Sequence, residues 1–534
     1  RYNKLFTGYV VQDGRRRKEG WIYNVRIRAP NGDPAGESLE ALARERGICR
    51  AAPVGRHELT VADAEEFFQL ASSELRRDPW STAKGPPGDP MTIEAARVGT
   101  AVAPVTLPPD ATMHQMIDAL WQLPRDIISD GYDAALAALG TQLPMTVHAY
   151  PTGSECWTWL IPEKWTCHEA WVETLDGRRL FSHADHPLHV VSYSLPFEGV
   201  VSREVLLEHL HVHPLLPDAV PFIFQYYDRN WGLCCSRRQR DALTEDQYRV
   251  VIRTDFSYGA LKVGEFVLPG DSSECIVLCA HLCHPHMVND DLSGVVVGID
   301  VMRALARLPR RRFTYRLVIV PETIGSVAYL SNHGELIPEM RGGLFLEMLG
   351  RAHPHALQRA FDPESPIDQV FTMTLAARDP DGWAGEFRSV IGNDERQYNA
   401  PGVRVPMLSL SRVLRPGHPE YPYREYHSSE DTPEAIAPGS LEASRDLVLQ
   451  MLDAFERNRV PVNRFSGEVF MARYGMFVDW YANPAGHRAL FDVMYLVDGT
   501  RSPADIARAT GLTLPDVHRT LDELHRHDLI SYRD

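Results

Sequence analysis

The run IVLCAHLCHPHMVNDDLSG, residues 276–294, places His281, His284 and His286, Cys283, Asn289, Asp290 and Asp291 just past an apolar stretch. Neutral imidazoles and carboxylates of this kind can surround a divalent cation, leave one position open for water, and supply a carboxylate that takes the water's proton. Downstream, the same residue types recur at candidate strand ends: Glu322 in VIVPETIGS, Glu347 in LFLEMLG and His427 in YHSSEDT. Singly, a strand-end histidine is more often a hydrogen-bonded structural residue, and an isolated acid more often a helix cap. Their recurrence in order makes metal-assisted hydrolysis the first expectation.

Residues so far apart in sequence need a fold that returns them to one edge. From Gly264 onward, apolar strands alternate with helical stretches: CIVLCAHL, SGVVVGIDVMRALARL, YRLVIVPE, GSVAYLSNHG, GGLFLEML. That alternation predicts an α/β fold, a mostly parallel sheet with helices on both faces, whose working residues sit at the carboxyl ends of the strands. Upstream, MHQMIDALWQLPRDIISDGYDAALAAL reads as two helices. Residues 160–250 read as a small β-rich insert, with HVVSYSLPF, PFIFQYY and YRVVIRTDF as its strands. Residues 112–455 are expected to form the catalytic domain. Residues 1–111 are an appendage of unassigned role, broken by proline and glycine around one helix, TVADAEEFFQLASSELRRD. Residues 456–534 predict three short helices and a closing strand, a unit resembling a winged helix-turn-helix. Ser502 before Pro503, and Thr513 before Asp516, mark helix starts there.

Composition narrows the partners. A chain of 534 residues, 44% hydrophobic and 24% charged, is globular and expected to hold two to four domains. A net charge of −16 argues against nucleic acid or an anionic membrane as the main partner. The C-terminal unit agrees: from Pro461 it has eight arginines, no lysine and ten acids, 8 − 10 = −2. It is expected to pack or to dock a protein partner, including another copy, rather than DNA. No run approaches the ~18 apolar residues of a membrane helix, and the first twenty residues lack the apolar centre of a signal peptide. The eight cysteines contain no CxxC pair, which fits a reducing, cytoplasmic setting.

The motifs AHLCHP…NDDLSG, VIVPETIGS, LFLEMLG, GNDERQYNAPGVRVP and YHSSEDT resemble, in order, those of the co-catalytic zinc aminopeptidases, a family that includes glutamate carboxypeptidase and glutaminyl cyclases. The resemblance runs from about Met113 to Leu452, and within the family it is closest to a bacterial aminopeptidase-like subgroup with a C-terminal winged helix. It implies His281 as a metal ligand, with His284 a rival, Asp290 as a bridging carboxylate, Glu347 and His427 as further ligands, and Glu322 as general base. It also implies a cis peptide between Asp290 and Asp291. Two positions depart from the family pattern. Thr323 stands where a second glutamate would bind metal, and Cys283 where an aspartate would orient the histidine. One zinc ion is therefore expected, and two only if another group replaces the carboxylate missing at Thr323.

The implied activity is cleavage of an amide or peptide bond, with release of an N-terminal aminoacyl group from a small-molecule or peptide substrate. Tyr398 or Tyr426 could steady the oxyanion, Asp394 or Glu395 could hold a free α-amino group, and Arg396 could instead pair with a substrate carboxylate. The competing activities are glutaminyl-cyclase-like acyl transfer, N-deacylation and a non-catalytic scaffold.

Overall fold

The computed structural model describes residues 102–533, preceded by two short strands, Val11–Gln12 and Arg15–Arg16. Residues 98–534 form one compact unit, distinct from residues 1–97. Apart from those two strands and residues 102–111, the appendage lies outside the described residues, and its expected helix does so entirely.

The centre is an eight-stranded sheet. Its strands are β1 (Thr146–Pro151), β2 (Ala260–Leu268), β3 (Cys275–His281), β4 (Thr314–Val320), β5 (Met340–Leu346), β6 (Ala356–Gln358), β7 (Trp383–Gly385) and β8 (Met407–Ser411). They lie in the order β7-β6-β8-β5-β3-β4-β2-β1. The four central strands, β8, β5, β3 and β4, run parallel, while β1, β2 and β6 pair antiparallel to their inner neighbours. Every residue of β3 is buried, as an unbroken apolar run requires of a strand covered on both faces. This is the mostly parallel α/β architecture expected from the alternation of strands and helices.

Register delivers the motif residues to one edge. His281 pairs with Val320, and Cys279 with Phe345. Two residues beyond those partners stand Glu322 and Glu347, so His281, Glu322 and Glu347 all leave the sheet at the same carboxyl end. Helix α1 (Leu292–Ala306) carries the chain from β3 to β4 on one side, and α2 (Ile324–Asn332) carries it from β4 back past β3 to β5. Right-handed crossovers in opposite directions place α1 and α2 on opposite faces and open a crevice where the order reverses. His281 and Glu347 flank that crevice. Gly294, in the first turn of α1, lies so close to β5 that a Cβ would meet the Leu346 carbonyl oxygen at 2.0 Å. Only glycine allows the start of α1, and with it Asp290, to approach Glu347 this closely.

The insert differs from expectation in detail. Its antiparallel sheet orders Arg179–Ser182, Lys164–Glu173, Gln247–Ser257 and Phe197–Ser202. YRVVIRTDF is a strand, whereas HVVSYSLPF and PFIFQYY are mostly irregular, joined by an isolated bridge between Ser192 and Phe224. Tertiary packing overrides their β-propensity. The Phe222 N–H donates to the His427 carbonyl at 2.8 Å, and the Phe222 ring lies 5.1 Å from that of His284 and 5.4 Å from that of His427.

Beyond α3 (Pro366–Arg378) and α4 (Ser440–Glu456), the chain forms helices Pro484–Leu496, Pro503–Thr510 and Leu514–Arg526 and a strand, Ile530–Tyr532, paired with Pro461–Asn463. Ser502 and Thr513 cap their helices as read. Helix Leu514–Arg526 packs on α3, and its acids are taken up by arginines: Asp522 by Arg457 at 2.7 Å and Glu523 by Arg526 at 2.6 Å. No described helix is long and apolar enough to cross a membrane.

Candidate metal centre

The loop after β3 is shaped by a fully buried arginine. Arg125 donates through Nη1 to Asp291 Oδ1 at 2.8 Å and to the Leu282 carbonyl at 3.3 Å, and through Nη2 to the carbonyls of His284 at 2.5 Å and Met287 at 2.8 Å. Asp431 holds the other end, accepting the N–H groups of Asn289 and Asp290 at 3.0 Å each and the Tyr423 hydroxyl at 2.9 Å. Asp290 thus projects from a loop clamped at both ends.

Glu322 is presented by a strained turn. Thr323 has φ 62° and ψ −62°, and the Ile324 N–H reaches back to the Glu322 carbonyl at 2.6 Å, the rare positive-φ γ-turn. The turn is held by Asp394, which accepts the Thr323 N–H at 2.9 Å, and by Cys283, whose sulfur accepts the Glu322 N–H at 3.1 Å. His427 and Met348, which follows Glu347, also have φ of 50°. Positive φ at non-glycine residues costs free energy of order 1–3 kcal/mol each, and such residues cluster where side chains must be aimed.

The aim is Asp290. Its Oδ1 lies 3.2 Å from His281 Nε2 and 3.1 Å from His284 Nδ1, and its Oδ2 lies 3.1 Å from His427 Nε2. Glu347 Oε2 is 3.9 Å from His281 Nε2, and Glu322 Oε2 is 3.1 Å from His284 Nε2. The other nitrogen of His281 faces Asp291 at 3.5 Å and is buried without a hydrogen bond of proper alignment. Asp290 Oδ1, His284 Nδ1 and His427 Nε2 are buried and lack a hydrogen bond of proper alignment. Polar atoms that converge, buried and unsatisfied, are the signature of a missing partner.

Charge points the same way. Asp290, Asp291, Glu347, Asp394 and Glu395 are all buried, and Arg125 is the fully buried arginine beside them. Burial pushes the Glu347 and Glu395 carboxyls up to about 8 and Asp394 to about 6. For Asp290 burial acts upward too, but the charge of His284 and the contacts with His281, His284 and His427 outweigh it and hold the carboxyl well below its usual range. Burial should neutralise His281 and His284, yet the surrounding carboxylates raise both well above an ordinary imidazole. Carboxylates that pull protons onto two buried histidines are groups a divalent cation would satisfy, and the donors, imidazole nitrogen and carboxylate oxygen, suit zinc.

Several residues named from the sequence stand elsewhere. Asp394 is spent on the Thr323 turn, and Glu395 accepts from Gln358 Nε2 at 2.8 Å and from the Asn393 N–H. Both are fully buried, so neither is placed to receive an α-amino group. Arg396 is partly exposed and directs Nε to the Asn393 carbonyl at 2.8 Å. Tyr398 is buried with its hydroxyl in the neighbourhood of Cys279 in the core, remote from the role of oxyanion donor. Tyr426 stacks on His427 at 3.9 Å between ring centres. The Asp290–Asp291 bond is trans, and among the described residues the cis bond is Tyr421–Pro422. His286, also in the opening run, packs on Trp121 and His186 away from Asp290.

Four contributors went unread: Arg125, Asp431, Asn393 and Tyr226. Asp431 was visible in YHSSEDT, and Asn393 in GNDERQY, without an assigned role. The buried Tyr226 hydroxyl has no hydrogen-bond partner among the described residues, and its ionisation is opposed first by burial and then by Cys283 and Glu322.

Comparison with known proteins places these features. The profile of the family described as "Domain of unknown function (DUF4910)" matches residues 114–458. A Clostridium acetobutylicum protein, provisionally named a polysaccharide biosynthesis protein with aminopeptidase-like domain, is 28% identical over 422 residues, 78% of this chain and 95% of that one. A crystal structure from Clostridium acetobutylicum, provisionally described as a peptidase, matches with a TM-score of 0.71 at 27% identity, covering 79% of this chain and 96% of that one. A zinc aminopeptidase from Bacillus subtilis aligns at 12% identity over 64% of this chain and 93% of that one, with a TM-score of 0.47, too distant a likeness for anything to rest on.

Proposed function

We infer for this chain, which belongs to the DUF4910 family, an activity that rests on the site its fold assembles. It is a metal-dependent hydrolase of amide or peptide bonds, releasing an N-terminal aminoacyl group. The observation that carries this reading is the Asp290 carboxylate ringed by nitrogens of His281, His284 and His427 at 3.1–3.2 Å, with Glu322 alongside.

A zinc ion held in this cluster supplies a lowered pKa for water and polarisation of the scissile carbonyl. The chain's own residues do the rest. Glu322, whose side chain is 20% exposed while the imidazoles of His281 and His284 are almost fully enclosed, accepts the proton of the attacking water and returns it to the leaving amine. Its backbone is fixed by Cys283 and the Thr323 turn, so the carboxylate meets the crevice without reorganisation. Tyr426, stacked on His427, sets that ring's plane and offers a hydroxyl to the developing oxyanion.

The surplus of carboxylates favours a substrate with a free amino end over a blocked or acidic one, although the group that receives the amine is not Asp394 or Glu395. A free aminoacyl amide is expected to be cleaved in preference to its N-acetylated twin, measured as the ratio of kcat/KM. Preference for the acetylated compound would replace the aminopeptidase reading with N-deacylation.

A further inference from the structure

Asp290 is shared by two candidate cation positions, and they are not equivalent. One lies toward His281 and Glu347. There the Asn393 amide already intervenes: its Nδ2 donates to Glu347 Oε2 at 2.8 Å and lies 3.5 Å from His281 Nε2. Glu347 also accepts the Ser409 hydroxyl at 3.2 Å. Those atoms have partners and remain 3.9 Å apart. The other lies toward His284 and His427, where His284 Nδ1, the Asp290 Oδ1 it faces, and His427 Nε2 are unsatisfied.

We propose that the cation is held by His284 Nδ1, Asp290 and His427 Nε2, with His284 supplying the ligand that Thr323 cannot, while the Asn393 amide bridges His281 and Glu347 in place of a second ion. The proposal rests on the hydrolase reading above and assigns its metal. Zinc bonds of about 2.0–2.1 Å in a tetrahedral arrangement put neighbouring ligand atoms roughly 3.3 Å apart. His284 Nδ1 and His427 Nε2 each stand 3.1 Å from an Asp290 oxygen, and one ligand atom from each of the three residues falls within 4.8 Å of the others. The outer nitrogen of His284 meets Glu322 at 3.1 Å, the carboxylate–imidazole pairing that fixes tautomer and ring orientation in metal sites. Three protein ligands leave a fourth position open, as hydrolytic zinc requires. The His427 side chain is 22% exposed while that of Asp290 is 3% exposed, so the opening lies on the accessible side of the cluster.

A rival grouping, His281, Cys283, His284 and Glu322, also brings ligand atoms within 4.8 Å. In it the Cys283 sulfur is already an acceptor for the Glu322 N–H. His281 and His284 are then not alternatives for one role: His284 binds the ion and His281 is a partner of Asn393, Asp291 and Glu347.

The test is the zinc content of the purified full-length chain and the visible spectrum after Co2+ replacement, with circular dichroism confirming the fold of each variant. The wild type is expected to hold about one ion. His284→Ala and His427→Ala should weaken binding by more than the order of ten- to a hundredfold that loss of an outer partner costs, whereas His281→Asn, Glu347→Gln and Cys283→Ser should retain the ion and the Co2+ bands. His427 is partly exposed, so its variant reports even if His284→Ala fails to fold. Loss of the ion from His281→Asn or Cys283→Ser, its retention in His427→Ala, or two ions per wild-type chain would overturn the assignment while leaving the hydrolase reading intact. A wild-type chain that binds no cation would overturn that reading as well.

Discussion

Glu322→Gln is expected to fold, to keep its cation, and to lose turnover by roughly a hundred- to ten-thousand-fold, the range that a general base contributes. The substitution preserves shape and an acceptor oxygen for His284 Nε2, but an amide does not take up the proton of the attacking water. The turn that presents the side chain is held by main-chain bonds to Asp394 and Cys283, which the variant leaves in place. Turnover measured together with metal content checks this outcome. If the variant instead lost its ion, Glu322 would be a ligand, and the base would have to be sought among the remaining carboxylates of the crevice.

Arg125→Met should destabilise the fold by about 3–5 kcal/mol, the cost of leaving half of a buried ion pair without its partner. Arg125 and Asp291 are both fully buried, so solvent does not screen what remains. The same guanidinium satisfies the Leu282, His284 and Met287 carbonyls, and methionine offers no donor to any of them. The consequence reaches the site, because Asp291 both faces His281 and accepts the His284 N–H at 2.8 Å. Urea unfolding of the variant gives the number, and the double variant with Asp291→Asn should recover part of the loss by removing the stranded charge. A change below about 1 kcal/mol would mean that the loop does not depend on this pair.

What the sequence disclosed follows from how local each signal is. The parallel strands were legible because CIVLCAHL, YRLVIVPE and GGLFLEML are continuous apolar runs, and burial on both faces leaves no polar alternation to confuse them. His281, Glu322 and Glu347 were legible because each sits at or just past a strand end, where an imidazole or carboxylate breaks an apolar pattern, whereas Asp290 and His427 lie in loops and were reached through NDDLSG and YHSSEDT. Asp394 and Glu395 were misread because a pair of adjacent acids looks solvated, whereas here each finds buried donors, the Thr323 N–H and the Gln358 amide, that only the folded chain supplies. Arg125 was missed for the same reason: its partners lie more than 150 residues away. PFIFQYY has the composition of a strand, but its Phe222 ring packs against the imidazoles of His284 and His427, an interaction no local pattern contains.

Removal and return of the metal test the central claim most directly. The purified chain is stripped with a chelator, its zinc content is measured, and hydrolysis of an unblocked aminoacyl amide is followed before stripping, after stripping and after stoichiometric zinc is restored. Activity should fall with the ion and return with it, with the stripped chain still folded by circular dichroism. Unchanged hydrolysis by a folded chain shown to carry no metal would contradict a metal-dependent hydrolase centred on Asp290.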